Sequence, residues 1–204
     1  MIELLACKLG RNDEIPNIEL AEKLCGSMDK KGISEIAGGL KSKEQAMAND
    51  CIKVLYEIGQ RKPELIADYA GEFITALSDK NNRIVWGSMK ALSYITPVRP
   101  EEVFSRLPEI LAAYKKGSVI TVDNSISVFA LLCKANGDYQ AKIFPILIAH
   151  LKNCRAKEIP QHAERMTVCI DLSNKEAFTK ALEARASELS NAQNRRIMKL
   201  IEKI

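Results

Sequence analysis

The chain has 204 residues, of which 47% are hydrophobic and 27% are charged, and this is ordinary for a soluble globular protein. Aromatic residues make up only 5%, which suits the close packing of many helices better than a β-sandwich. The net charge of +4 is too small to indicate nucleic acid or an acidic surface as a partner without further evidence.

The six cysteines are scattered and form no C-x-x-C pair, so we expect free thiols that act as small hydrophobic residues. The first 14 residues lack the basic start and the long apolar core of a signal peptide. No segment approaches the ~18 consecutive apolar residues of a membrane-spanning helix. These features predict a location in the reducing cytoplasm.

In chain order, residues 2–9 and 17–24 predict two N-terminal helices, and we assign residues 1–27 as a capping segment. Helical pairs begin at residue 28. The first helix of the first pair is predicted over 30–40. After a polar turn, the second helix is predicted to run to Arg61, with apolar residues spaced i, i+3, i+4 along one face.

Adding 37 to each residue number superimposes three successive units. The same helix face carries small or apolar residues in each unit: Met47, Ile84 and Thr121; Cys51, Ser88 and Ser125; Val54, Ala91 and Val128; Leu55, Leu92 and Phe129; Ile58, Ile95 and Leu132. The breaker Pro63 likewise coincides with Pro100 and then with Gly137. A period of this size predicts a stack of helical pairs.

The partner helices are predicted over 64–77, 101–114 and 139–151, with a bend at Pro108 and another proline, Pro145, inside the third. Three later helices are predicted, over 162–172, 175–189 and 193–204, the last with an apolar side of Ile197, Leu200, Ile201 and Ile204. No segment alternates apolar and polar residues as a strand does. We therefore expect an all-α protein in which residues 28–204 form one continuous domain.

The segment DKNNRIVWGSMKALSYI, residues 79–95, resembles the second helix of a HEAT repeat. The resemblance implies an armadillo-like α-solenoid, a right-handed α-α superhelix of about five helical pairs. Most such proteins are scaffolds that bind macromolecules on their stacked second helices. A smaller group similar in fold, the alkylpurine DNA glycosylases, binds DNA there. The preceding unit departs from the pattern, because Gln45-Ala46 replaces Asn82-Arg83.

Trp86 is the only tryptophan, and its equivalents under the 37-residue shift, Asn49 and Asp123, are polar. We therefore predict that Trp86 faces solvent, where a large aromatic side chain can anchor a partner. A row of predicted binding residues surrounds it: Asn49, Lys53, Asn82, Arg83, Lys90 and Asp123. For Trp86 the alternative is a tryptophan partly covered by the neighbouring repeat, and for the row it is the ordinary polar side of amphipathic helices.

His150 and Cys154 are four residues apart, and His162 and Cys169 follow, but no spacing matches a compact zinc signature. We therefore predict no metal site and no cofactor, with both histidines at the surface or between helices and Cys169 in the core.

No nucleophile, phosphate-loop or metalloprotease motif is present, so the sequence assigns no catalytic residue. Basic residues that could contact phosphates are interspersed with glutamates in the second half of the chain: Arg155, Lys157, Arg165, Arg195, Arg196, Lys199 and Lys203. The sequence favours a non-catalytic scaffold for a protein or peptide partner. The alternative is a DNA-binding or alkylbase glycosylase-like HEAT protein.

Overall fold

The computed structural model describes residues 1–204 and contains twelve α-helices and no strand. Two compact units are present, Met1–Ser125 and Ile126–Ile204. The helices are α1 Ile15–Ser27, α2 Lys30–Gly38, α3 Gln45–Arg61, α4 Ala70–Ala76, α5 Asn82–Ile95, α6 Pro100–Ser105, α7 Leu107–Lys116, α8 Val119–Ala135, α9 Gly137–Asn153, α10 Ile159–Met166, α11 Lys175–Glu183 and α12 Asn191–Lys203.

The predicted second helices start at equal intervals. Helices α3, α5 and α8 begin at Gln45, Asn82 and Val119, so successive starts are 37 residues apart. Asn81 marks the start of α5, because its side-chain oxygen accepts a hydrogen bond from the Arg83 backbone N–H at 3.0 Å. Such a cap supplies a partner for a backbone donor that the helix itself leaves unpaired.

The prediction of one helix over 64–77 is wrong. The chain forms two 3-10 turns, Pro63–Leu65 and Ala67–Tyr69, before the short helix α4. Three consecutive residues, Leu65, Ile66 and Ala67, are all buried there. The break lies at Ile66, whose backbone angles of φ −116° and ψ 2° are outside the helical region, so the two turns do not join into one helix.

The other two first helices, predicted over 101–114 and 139–151, lie close to their predicted positions. The bend predicted near Pro108 is confirmed, since the chain breaks at Arg106 between α6 and α7, with Pro108 in the first turn of α7. Pro145 lies inside α9, which continues on both sides of it. Because proline has no N–H, the Ala141 carbonyl loses its helical partner at that point.

In the first unit, α3 packs against α1, α2 and α5, and α4 packs against α5. Its largest fully buried side chains include Phe73, Ile52 and Leu55. A Cβ atom built on Gly87 of α5 would lie 2.6 Å from Cγ1 of Ile52 on α3. The two helices therefore approach closely because residue 87 has no side chain.

The N-terminal segment is less helical than predicted. Instead of a helix over 2–9, it forms a 3-10 turn at Ile2–Leu4 followed by further turns. The Ala6 N–H donates to Oδ1 of the buried Asn17 at 3.0 Å, and Asp50 accepts from the Cys7 N–H at 2.7 Å. These bonds fasten the segment to α1 and α3.

In the second unit, α9 packs against α10 and α11, and α10 packs against α12. The predicted helix over 162–172 is shorter, ending at Met166 before a 3-10 turn, and the one over 175–189 ends at Glu183. Of the predicted apolar side of α12, only Ile197 is buried. The other three residues are partly exposed: Leu200, Ile201 and Ile204.

All six cysteines are free thiols, as the scattered spacing predicts. None of the helices combines the length and the apolar character needed to cross a lipid bilayer.

Candidate functional site

Helices α3 and α5 bring two aromatic rings together. Tyr56 on α3 and Trp86 on α5 have ring centroids 5.7 Å apart, with a 43° angle between the ring planes. Lys90, one turn after Trp86, places its Nζ 4.2 Å from the centroid of the Tyr56 ring, and the Arg83 guanidinium carbon lies 6.0 Å from the Trp86 ring. We call these four residues, Tyr56, Arg83, Trp86 and Lys90, the Trp86 surface.

Exposure differs within the Trp86 surface. Trp86, predicted to face solvent, is half-buried, as are Lys90 and Arg83. Tyr56 is only 3% exposed, so its ring forms the floor on which Trp86 and Lys90 lie. Ammonium groups near aromatic faces are attracted by the ring quadrupole, which holds Lys90 in place.

A charged network lies beside the floor. Lys53, 6% exposed, contacts Glu14 Oε2 at 2.8 Å and Glu57 Oε1 at 2.9 Å, and Arg61 Nη1 contacts Glu57 Oε2 at 2.6 Å. Burial acts to lower the pKa of Lys53, but the hydrogen bonds to Glu14 and Glu57 outweigh it and the pKa is raised. Lys53 is thus a paired internal cation and does not line the surface.

The pKa values of Glu14 and Glu57 are lowered, whereas that of Lys53 is raised. Burial acts to raise the pKa of Glu57, but hydrogen bonds from Lys53 and Arg61 outweigh it and hold the pKa below its ordinary value. The pKa of Glu14 is lowered in the same way, because hydrogen bonds and charges from Lys53 and Arg83 outweigh its burial. Glu14 Oε1 accepts from Arg83 at 2.5 Å, so Glu14 joins the start of α1 to α3 and α5.

Lys90 differs from its cationic neighbours because it has no carboxylate within ion-pair distance. Burial lowers its pKa, and the charge of Lys53 adds to this effect, while Glu57 and Glu14 oppose it. A partly desolvated cation with no ion partner favours an incoming anion. It is the group of the Trp86 surface best able to recognise a ligand by charge.

The remaining predicted binding residues lie in different places. Asn49 Oδ1 accepts from Asn81 Nδ2 at 2.8 Å, which links the start of α5 to α3. Asn82 is exposed and lines a groove of about 400 Å³ with residues of α7, among them Glu109 and Lys116. Asp123 is half-buried on α8. Asn82 therefore lines a groove that is separate from the Trp86 surface.

Sequence reasoning missed Tyr56, Glu14 and Glu57. Tyr56 lies three residues after Lys53 on α3, so helical spacing alone places it near the predicted row. Glu14 comes from a segment 39 residues before Lys53, and no sequence feature indicates that contact.

Several basic residues of the second unit are already engaged. Arg196 forms two hydrogen bonds of 2.5 Å with the carboxylate of Glu164, and Arg155 is paired with Glu158. Arg165 donates to the Ser127 hydroxyl at 2.6 Å. These contacts reduce the positive charge that would be available to a phosphate backbone.

Both histidines are inter-helix residues, one of the two predicted placements, and both are buried. His150 Nε2 lies 2.8 Å from His162 Nδ1, and the ring centroids are 4.7 Å apart. Cys154 joins them, and one ligand atom from each residue lies within 4.8 Å of the others. The sequence spacing, which matches no compact zinc signature, does not indicate this convergence. A turn folds α10 back on α9 and brings His162 to the other two residues.

No protein-family model and no curated protein sequence matches the chain. Two solved structures are similar in fold. An engineered protein from a structural genomics consortium is 12% identical, with a TM-score of 0.66, and the match covers 99% of this chain and 96% of that one. A computationally designed armadillo repeat protein for modular peptide recognition is 11% identical, with a TM-score of 0.69, covering 92% and 91%. The chain thus has the all-α fold of an armadillo-like or HEAT-like solenoid, as the helical period predicts.

Proposed function

We propose that this protein is a non-catalytic scaffold that binds an acidic, extended peptide segment of a protein partner on the Trp86 surface. The observation that carries the proposal is Lys90, a half-buried cation without an ion partner, placed beside the half-buried Trp86 over a tyrosine floor.

The chemistry of the surface suits a binding anchor. Tryptophan, tyrosine and arginine are the residues most enriched among interface positions that dominate binding energy. Trp86 can pack against an apolar side chain, while Lys90 binds a carboxylate of the same peptide. Together they define a ligand with an acidic residue next to an apolar one.

The neighbouring ion pairs support rigid presentation of these two side chains. Glu14 holds Arg83, which lies beside the Trp86 ring, and Lys53 and Lys90 both lie near the Tyr56 ring. Side chains already held in place lose less conformational entropy when a partner binds. The designed armadillo repeat protein similar in fold was made for peptide recognition, which is consistent with a peptide ligand.

Nucleic acid fits this surface less well than an acidic peptide. Binding to a phosphate backbone draws on several unpaired cations in a row. Here Lys53 and Arg83 are both paired with Glu14, which leaves Lys90 as the available cation.

A random peptide library displayed on phage tests the proposal. We expect the selected peptides to be rich in Asp and Glu beside an apolar residue. Trp86→Ala should weaken their binding about 5- to 30-fold and Lys90→Ala about 5- to 10-fold, typical of interface anchors. Lys115→Ala, which removes an exposed lysine on α7, serves as the matched control and should leave the affinity unchanged.

The proposal is wrong if the selected peptides bind Trp86→Ala and Lys90→Ala as tightly as they bind the wild type. It is also wrong if short duplex DNA binds at low salt and competes with the peptides at this surface.

A further inference from the structure

The second unit holds a cluster of three metal-ligating side chains that the proposed peptide surface does not use. His150 lies in the last turn of α9, Cys154 directly follows that helix, and His162 lies on α10. Their ligand atoms lie within 4.8 Å of one another, and His150 and His162 are 8% and 0% exposed. We propose that His150, Cys154 and His162 form a zinc site that joins α9 to α10.

The backbone already places two of the ligands on one face. The Cys154 N–H donates to the His150 carbonyl at 2.8 Å, so the helical hydrogen-bond pattern extends to Cys154. Residues four apart along a helix project to the same side. The third ligand arrives because the chain turns through a 3-10 segment, Ala156–Glu158, and α10 then packs against α9.

The spacing of the two imidazoles is close to that of a metal site. Two nitrogens bound to one tetrahedral zinc at ~2.0–2.1 Å lie about 3.3 Å apart. His150 Nε2 and His162 Nδ1 are 2.8 Å apart, so the rings need to separate by only about 0.5 Å from their direct contact. A small rotation of the two side chains makes room for the ion.

The donor set favours zinc among the common divalent ions. Imidazole nitrogen and thiolate sulfur suit Zn²⁺, whereas Mg²⁺ and Ca²⁺ take oxygen ligands. In the bound state His150 ligates through Nε2 and keeps its proton on Nδ1, while His162 ligates through Nδ1 and keeps its proton on Nε2. The Cys154 thiol releases its proton to solvent and binds as thiolate.

Water completes the coordination. Cys154 is only partly buried, which leaves a path to solvent, and the carboxylate in the connecting turn, Glu158, is already paired with Arg155. Three protein ligands and one water form a recognised tetrahedral arrangement for zinc. In this protein the ion would hold the end of α9 against α10.

Metal titration of the chelator-treated full chain tests the site. We expect one Zn²⁺ per chain in competition with a chromophoric chelator, and a higher melting temperature when Zn²⁺ is present. Co²⁺ in place of Zn²⁺ should give a thiolate-to-metal charge-transfer band. Cys154→Ser should weaken Zn²⁺ binding by more than about 100-fold, since even changes outside the ligands cost 10–100-fold.

Cys7→Ser removes another partly buried thiol, in the first unit, and is the matched control that should bind Zn²⁺ as the wild type does. His162→Gln should also lose the metal, and circular dichroism checks that this fully buried position still folds. The site is overturned if Zn²⁺ saturates below one per chain. Equal affinity in Cys154→Ser and wild type would also overturn it, because the ion would then be bound elsewhere.

Discussion

Lys53 is the residue on which the charges beside the Trp86 surface converge. Its ammonium lies between the carboxylates of Glu14 and Glu57 and 5.0 Å from the centroid of the Tyr56 ring. Removing one member of a buried ion pair costs far more than an exposed pair is worth, because the partner remains desolvated without its counter-charge. The role of Lys53 is therefore to keep two carboxylates in place beside the aromatic floor.

Lys53→Met should lower the free energy of unfolding by about 2–3 kcal/mol, somewhat less than the 3–5 typical of fully buried pairs because Glu14 reaches solvent. Urea denaturation monitored by circular dichroism measures the change. The double variant Lys53→Met, Glu57→Gln should lose less than the two single variants added together.

Lys180→Met is the matched control, because Lys180 pairs with Glu176 at 2.5 Å on an exposed face of α11. It should leave the denaturation midpoint unchanged. If Lys53→Met also left the denaturation midpoint unchanged, the network around Lys53 would contribute nothing to stability.

The same network predicts a pH dependence. Glu14 and Glu57 have folded-state pKa values below their ordinary value of 4.5. Their contribution to stability is therefore complete above pH 4.5 and is lost as the pH falls through the lower folded values. The stability difference between wild type and Lys53→Met should shrink below pH 4.5. A difference that stays constant down to pH 3 would contradict this assignment of the carboxylates.

At the residue scale the sequence predicts Trp86 as a binding residue because its equivalents Asn49 and Asp123 are polar, and it predicts Lys90 because that residue follows one turn later on the same helix. It cannot show that Lys53 is internal. Lys53 is covered because Glu14 arrives from the N-terminal segment, and that contact depends on how α1 packs against α3. A pairing between distant charges has no local signature.

At the scale of elements, the close approach of α3 and α5 decides whether Trp86 reaches Tyr56. Gly87 makes this approach possible, since Ile52 occupies the space that a Cβ atom would need. The neighbouring residue, Trp86, can then place its ring 5.7 Å from that of Tyr56.

Gly87→Ala should destabilise the protein by about 1–3 kcal/mol, because the added methyl group overlaps the fully buried Ile52. The same change at Gly71 in α4 meets nothing within 4 Å and should stabilise by about 0.5–1 kcal/mol through its higher helix propensity. Thermal denaturation of both variants tests the pair. Equal effects at the two positions would mean that the approach of α3 to α5 is not tight.

The long second helices α3 and α5 were predicted well from sequence, whereas the first helix predicted over 64–77 was not. Helices α3 and α5 carry strong apolar periodicity over 17 and 14 residues, so their bounds follow from pattern and flanking turn residues. The region 63–76 is split into turns because the backbone leaves the helical region at Ile66 and again at Tyr69. Such a break in the backbone has no signature in local apolar periodicity.

At the scale of the whole molecule, the 37-residue spacing of α3, α5 and α8 is visible both in the sequence and in the structure. The fold class could be predicted because a repeat presents the same pattern several times. The cluster of His150, Cys154 and His162 could not, because it depends on the turn between α9 and α10. The expectation of a single continuous domain over 28–204 stays a prediction beside the two compact units.

The fluorescence of Trp86 gives the most direct measurement of the proposed function, because this residue is the only tryptophan in the chain. Titration with an acidic peptide from the selected library should shift or quench its emission with a saturable curve. The affinity should fall as salt rises, since charge attraction to Lys90 is screened. In Lys90→Ala the curve should move to about 5- to 10-fold higher peptide concentration. Saturable peptide binding that leaves Trp86 emission unchanged would contradict the proposal and place the binding surface elsewhere.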